Sequence, residues 1–136
     1  MRESRLGKQL IVDFYGCDSA VLDDVEGLKR TLVESAIVAN STVVNSIFHH
    51  YSPYGVSGVV VIVESDITIH TWPEYGYAAI DIFTCGEEMD PWKAYEHLKT
   101  NLGAGRAEAR EVTRGVFRDG LPVRGDSLPL AEGPRA

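Results

Sequence analysis

The sequence predicts an α/β domain in which a few helices pack against a β-sheet, and three observations carry that prediction. β-Branched runs dominate the middle of the chain, two stretches have helical spacing, and the elements follow in the order strand, helix, several strands, helix, strand. At 136 residues the chain has room for one compact domain and little more.

Residues 8–15 (KQLIVDFY) read as the first strand, and Gly16-Cys17-Asp18-Ser19 as a turn leading into a helix cap. Over residues 20–39, Leu22, Val25, Leu28, Leu32 and Ala36 recur every three or four positions, which marks one face of an amphipathic helix. Gly27 weakens it by roughly 1 kcal/mol relative to alanine, and Asn40 is suited to a left-handed stop. A strand is expected over 42–48, then a turn-rich segment over 49–55 broken by Pro53-Tyr54-Gly55. Residues 56–63 (VSGVVVIV) are almost continuously apolar, the pattern of a strand covered on both faces. Glu64-Ser65-Asp66 interrupts this run, 67–72 resumes in alternation, Pro73-Glu74-Tyr75-Gly76 turns, and 77–84 makes another strand.

Asp90-Pro91 opens the second helix with a capping carboxylate and a proline at the first helical position. Trp92, Tyr95, Leu98 and Leu102 lie on one of its faces, and Gly103-Ala104-Gly105 ends it. A last strand is expected over 106–116. The domain is read as 1–117, and 118–136, rich in glycine, proline and charge, as a flexible tail. Two helices can cover one face of such a sheet but not both. Since the central strands read as covered on both sides, a second protomer is expected on the other face, which makes the protein a homo-oligomer.

Net charge is −7, from 20 acidic and 13 basic residues. That argues against a nucleic-acid groove, which needs a basic stripe. Leu10-Ile11-Val12 is too short for a signal-peptide core, and no apolar stretch is long enough to span a bilayer. Cys17 and Cys85 are therefore read as free thiols in a cytoplasmic protein rather than as a disulfide.

Reactive side chains concentrate between Ser57 and Cys85, where Glu64, Ser65, His70 and Glu74 also lie. Ser65 stands where a hydrophobic strand breaks, a place where polar groups need solvent or a purpose. His70 follows five positions later. On one straight strand that odd offset sends the two side chains to opposite faces, so they meet only if the chain bends at 64–66. Taken singly, each residue has a plainer reading: a capping serine, a structural histidine, a small buried thiol, a solvated glutamate. His49-His50 carries no partner spaced for zinc, and no metal site is expected.

Order and spacing change that weighting. The segments VVVIVES, ITIHTWPEYGYAAIDIFTCG and DPWKAYEHL resemble the small prokaryotic S-adenosylmethionine decarboxylase proenzymes. The resemblance is strongest over 54–98, extends loosely back to GKQLIVDFYGCD, and fades after Gly105. It implies a two-layer protomer, with helices on one face of a mainly antiparallel sheet, and protomers pairing as α-β-β-α. It also implies self-cleavage between Glu64 and Ser65 into chains 1–64 and 65–136, with Ser65 becoming a pyruvoyl group. That carbonyl would form a Schiff base with S-adenosylmethionine and act as the electron sink for release of CO2, giving the aminopropyl donor for spermidine.

Residue by residue, the resemblance makes His70 the acid/base of processing, a task that suits imidazole near neutral pH. Ser57, in GVSG, assists processing. Cys85, in FTCG, is the proton donor of decarboxylation. Glu74, in WPEYG, holds the substrate ribose, and Tyr51 stands where the family usually has phenylalanine for adenine stacking. The family places its sites near the protomer contact, so some of these residues could serve the neighbouring site.

One departure leaves substrate choice open: Asp66 stands where histidine is common. A carboxylate there could favour a basic amino acid, arginine or ornithine, and could slow processing by acting on His70. An unprocessed regulatory subunit is a further reading, opposed by the intact Ser65, His70 and Cys85.

Overall fold

The computed structural model describes residues 2–123. Seven antiparallel strands form one sheet in the spatial order β2-β3-β4-β5-β1-β6-β7. In chain order the elements are β1 (Glu3–Tyr15), α1 (Ser19–Leu22), α2 (Val25–Val38), β2 (Val43–His50), β3 (Val56–Ile62), β4 (Ser65–Trp72), a 3-10 turn (Pro73–Tyr75), β5 (Tyr77–Thr84), α3 (Pro91–Asn101), β6 (Arg106–Arg118) and β7 (Leu121–Pro122). No described helix is long and apolar enough to cross a membrane.

Strand alternation assigns the two faces. Leu10, Val12 and Phe14 of β1, Val60 and Ile62 of β3, Ile67 and Ile69 of β4, and Ala78, Ile80 and Ile82 of β5 all point to one side and are buried. The helices lie over that side and contribute Leu28, Leu32 and Ala36 from α2 and Ala94, Tyr95 and Leu98 from α3. Phe14 meets Tyr95 with ring centroids 5.7 Å apart. The expected two-layer α+β architecture is what the chain adopts. Among the described residues no helix lies on the opposite sheet face; Ile47 (69% exposed) and Val61 (41%) lie there in rows with Ile11, Val59 and Phe83. The apolar run 56–63 is thus covered on one side only within a single chain.

Three expectations need correcting. The helix expected over 20–39 is two, because the chain breaks at Asp23-Asp24 and each part has its own cap. Asp18 accepts from the Ala20 and Val21 amides, and Asp24 from the Gly27 amide at 3.0 Å. Gly27 is more than a weak spot: a Cβ there would lie 2.3 Å from the Asp24 carboxylate, so its bareness makes room for the cap. β1 and β6 are longer than expected because they pair from Glu3 opposite Arg118 to Tyr15 opposite Arg106, a partnership that local sequence does not announce. The flexible tail was placed too early. Residues 118–122 turn through Asp119-Gly120 into β7, which pairs with β6. The remainder of that segment, 124–136, lies outside the described residues.

Phe14 is fully buried between sheet and α3. Phe14→Ala should cost about 3–5 kcal/mol of stability in urea unfolding.

Candidate active site

The turn between β3 and β4 is as tight as a hairpin allows. Ile62 pairs with Ser65, leaving Val63 and Glu64 as the two loop residues. Glu64 takes φ = 67°, a left-handed conformation that costs a side-chain-bearing residue roughly 1–2 kcal/mol. Ser65 is the first residue of β4, opposite Thr84 at the end of β5. The chain leaves β5 at once, so Cys85 sits beside the β3–β4 turn, where its thiol donates a hydrogen bond to the Glu64 carbonyl oxygen. Glu64, Ser65 and Cys85 therefore form one cluster around a single peptide bond. Glu64 and Ser65 also border a depression of about 620 Å³ lined by Asp66, Asp81 and Phe83, while Cys85 borders a separate one with Thr84, Gly86 and Lys8.

His70 is not part of that cluster. β4 runs straight from Ser65 to Trp72, without the bend that the pairing of Ser65 with His70 requires. The odd offset therefore holds, and five strand residues separate the two by about 16 Å. His70 instead lies directly opposite Ser57 on β3, with Ser57 Oγ 2.8 Å from His70 Nδ1. Tyr51 and Glu74 join them around a second hollow of about 310 Å³, which Tyr54 and Trp72 also line. The sequence-selected residues thus assemble as two clusters at opposite ends of the β3–β4 pair.

Electrostatics differ between the ends. Partial burial, and then the nearby Asp81 carboxylate, raise the Asp66 carboxyl above the ordinary aspartate range. Asp66 is four residues from His70 along the strand, about 13 Å. Its charged neighbour is Asp81, and the expected action of Asp66 on His70 has no contact to support it. At the other end, His50 Nε2 lies 2.8 Å from Asp23 Oδ1, while His49 stacks edge-on against Tyr51. Among the described residues, no three His, Cys, Asp or Glu side chains converge as a metal would need.

Two residues that shape the second hollow escaped the sequence reading. Thr71 faces the core, where its hydroxyl donates to the Leu22 carbonyl at 2.8 Å and accepts from the Val56 amide at 2.9 Å. Its signal was a polar residue in phase with Ile67 and Ile69. Asp23 accepts from the Gly55 amide at 2.9 Å; its signal was an acidic pair inside an otherwise regular helical pattern.

The two thiols also differ. Cys17 is buried, and desolvation pushes its pKa up to about 11, whereas Cys85 is exposed. Iodoacetamide at pH 8 should therefore alkylate Cys85 in the native protein and reach Cys17 only after denaturation, which peptide mass spectrometry reads directly.

Comparison with known proteins identifies the family. The S-adenosylmethionine decarboxylase family model matches residues 8–115. An S-adenosylmethionine decarboxylase proenzyme of Thermotoga petrophila is 55% identical over 118 residues, spanning 86% of this chain and 91% of its own. That of Thermosipho melanesiensis is 52% identical over the same shares. Among solved structures, the adenosylmethionine decarboxylase of Aquifex aeolicus superposes with a TM-score of 0.76 at 35% identity, covering 85% of this chain and 96% of that one. A family match over most of the chain, relatives above half identity and a shared fold all converge: the chain belongs to the S-adenosylmethionine decarboxylase family.

Proposed function

We propose that the chain cuts itself between Glu64 and Ser65, converts Ser65 into a pyruvoyl group, and releases CO2 from S-adenosylmethionine. The observation that carries this reading is the Cys85 thiol bonded to the Glu64 carbonyl, at a peptide bond whose acyl residue is held left-handed in a two-residue turn.

In processing, the Ser65 hydroxyl adds to the Glu64 carbonyl carbon and charge develops on the carbonyl oxygen. A donor already aimed at that oxygen stabilises the charge without reorganising. The C–N bond then breaks, leaving Glu64 as an ester on Ser65 and freeing the Ser65 nitrogen, which takes up a proton. Loss of the Ser65 α-proton to a base expels the Glu64 carboxylate. Water then replaces the nitrogen, which departs as ammonia, and a carbonyl remains at the head of 65–136. The left-handed strain at Glu64 adds to the driving force, because cleavage frees the turn that imposes it.

His70 suits the base. In the tautomer that donates Nδ1–H to Ser57 Oγ, which lies 2.8 Å away, Nε2 keeps a free lone pair. At about 16 Å it cannot reach Ser65 of its own strand. A partner protomer closes that gap. Two helix-free sheet faces can stack about 10 Å apart, burying Ile47, Val59 and Val61 in an α-β-β-α pair. A two-fold axis lying between the sheets and across the strands sets the His70 end of one protomer beside the start of β4 in the other, where the β3–β4 turn leaves Ser65 at the margin of the sheet. Each site then takes Glu64, Ser65 and Cys85 from one protomer and Tyr51, Ser57, His70 and Glu74 from its neighbour.

In the completed site the pyruvoyl carbonyl supplies an electron sink for decarboxylation. Cys85, adjacent to the head of β4, is placed to return a proton to the substrate α-carbon. Tyr51 offers an aromatic face to the adenine, and Glu74 a carboxylate to the ribose hydroxyls. Arginine and ornithine carry no nucleoside for that wall to hold, which favours S-adenosylmethionine despite Asp66.

On a denaturing gel the protein should run as fragments 1–64 and 65–136, and Ser65→Ala as one chain inactive toward S-adenosylmethionine. Cys85→Ala should decarboxylate about a hundredfold or more slowly. A wild-type protein that stays full length after long incubation contradicts this reading. Greater CO2 release from arginine or ornithine, assayed in parallel, would overturn the substrate.

A further inference from the structure

The break between α1 and α2 does more than divide a helix. Asp24 caps α2, which leaves Asp23 free to face the sheet. Its Oδ1 accepts from the Gly55 amide at 2.9 Å and lies 2.8 Å from His50 Nε2. These partners flank the turn 51–54, which is closed by the Tyr51 amide donating to the Gly55 carbonyl at 2.8 Å. One residue earlier, the Leu22 carbonyl accepts from Thr71, whose hydroxyl also receives the Val56 amide. A single stretch of backbone at the end of α1 thus fastens the end of β2, the start of β3 and the end of β4.

The turn is closed by its own Tyr51–Gly55 hydrogen bond and the adjoining His50–Val56 ladder pair, but its side chains are poorly buried. Tyr51 is 47% exposed and Tyr54 45%, so burial supplies little of the free energy that fixes their positions. Gly55 sits at φ = 110°, and a Cβ there would approach the Thr71 carbonyl to 3.2 Å, so the amide that meets Asp23 is presented by a conformation that favours glycine. The Gly55 amide first, and then His50, hold the Asp23 carboxyl below the ordinary aspartate range. It is therefore an anion throughout neutral pH, and its bonds are charge-assisted.

We propose that Asp23 is a positioning residue for substrate binding: by tying His50 to Gly55 it fixes the turn that presents Tyr51 to the nucleoside. It touches neither substrate nor the reacting atoms. The inference rests on the reading of Tyr51 given above. Ser57 and His70 are held independently by the β3–β4 ladder, so self-cleavage should not need the clamp.

Steady-state decarboxylation of S-adenosylmethionine by Asp23→Ala, Asp23→Asn, His50→Gln and Tyr51→Ala tests it. For Asp23→Ala, KM should rise about tenfold with kcat within about twofold, the signature of lost binding rather than lost chemistry. Fragments 1–64 and 65–136 should form at the wild-type rate. Asp23→Asn keeps an oxygen for the Gly55 amide and should recover part of the loss. If Asp23→Ala fails to fold, His50→Gln carries the same test, and an unchanged KM there overturns the inference. A wild-type KM in Asp23→Ala, with a raised KM in Tyr51→Ala, overturns the clamp and leaves the substrate reading standing. An unchanged KM in Tyr51→Ala removes Tyr51 from the nucleoside site, and the clamp with it, while leaving the substrate itself in place. Parallel loss of kcat and of cleavage in Asp23→Ala also overturns the inference, since the residue would then act on the reaction centre.

Discussion

Pairing of Val56–Ile62 with Ser65–Trp72 around two residues is the constraint from which the rest of the site follows. With only Val63 and Glu64 to reverse the chain, Glu64 must enter the left-handed region, and Ser65 must open β4. The same register sets Ser57 opposite His70 and Ser65 opposite Thr84, which brings the Cys85 thiol to the Glu64 carbonyl. A slip of one residue would send each of these side chains to the other face of the sheet. Buried Val60, Ile62, Ile67 and Ile69 oppose such a slip, because it would expose them to solvent. Core packing therefore fixes the chemistry as firmly as it fixes the fold.

That register also keeps Ser65 and His70, the residues proposed for cleavage, apart. A strand rises about 3.3 Å per residue, and no rotamer of His70 spans five of them. On the sheet face that no described helix covers, Ile47 and Val61 are exposed apolar side chains set among polar ones such as Thr68 and Asp81. The proposed second sheet, laid over the first, would answer both features. Incompleteness of the site and exposure of the face thus argue for the same partner, although they are independent observations.

Much of this was legible in the sequence, for identifiable reasons. The alternation in 67–72 and 77–84 reported true strands, because one face of each packs on helices. Asp90-Pro91 marked a real helix start, since capping is local chemistry. The odd spacing of Ser65 and His70 already implied opposite faces, and the straight strand bears that out. What local pattern could not report was pairing at a distance. The extension of β1 to Glu3 depends on β6, more than ninety residues on by register. The break at Asp23-Asp24 depends on Gly55 and His50, which give Asp23 partners that a continuous helix would not offer. Helical periodicity ran through that break because Leu22 of α1 and Val25, Leu28 and Leu32 of α2 pack on the same core at three- or four-residue spacing.

Subunit mixing decides whether the site is shared. Differently tagged Ser65→Ala and His70→Ala chains, each stable uncut alone, are refolded together and followed on a denaturing gel. A composite site pairs the intact Ser65 of the His70→Ala chain with the intact His70 of the Ser65→Ala chain. The His70→Ala chain should then be cut into 1–64 and 65–136 only in the mixture, while the Ser65→Ala chain stays whole. A His70→Ala chain that remains uncut in a verified mixed dimer, or that cuts equally well alone, would contradict the shared site.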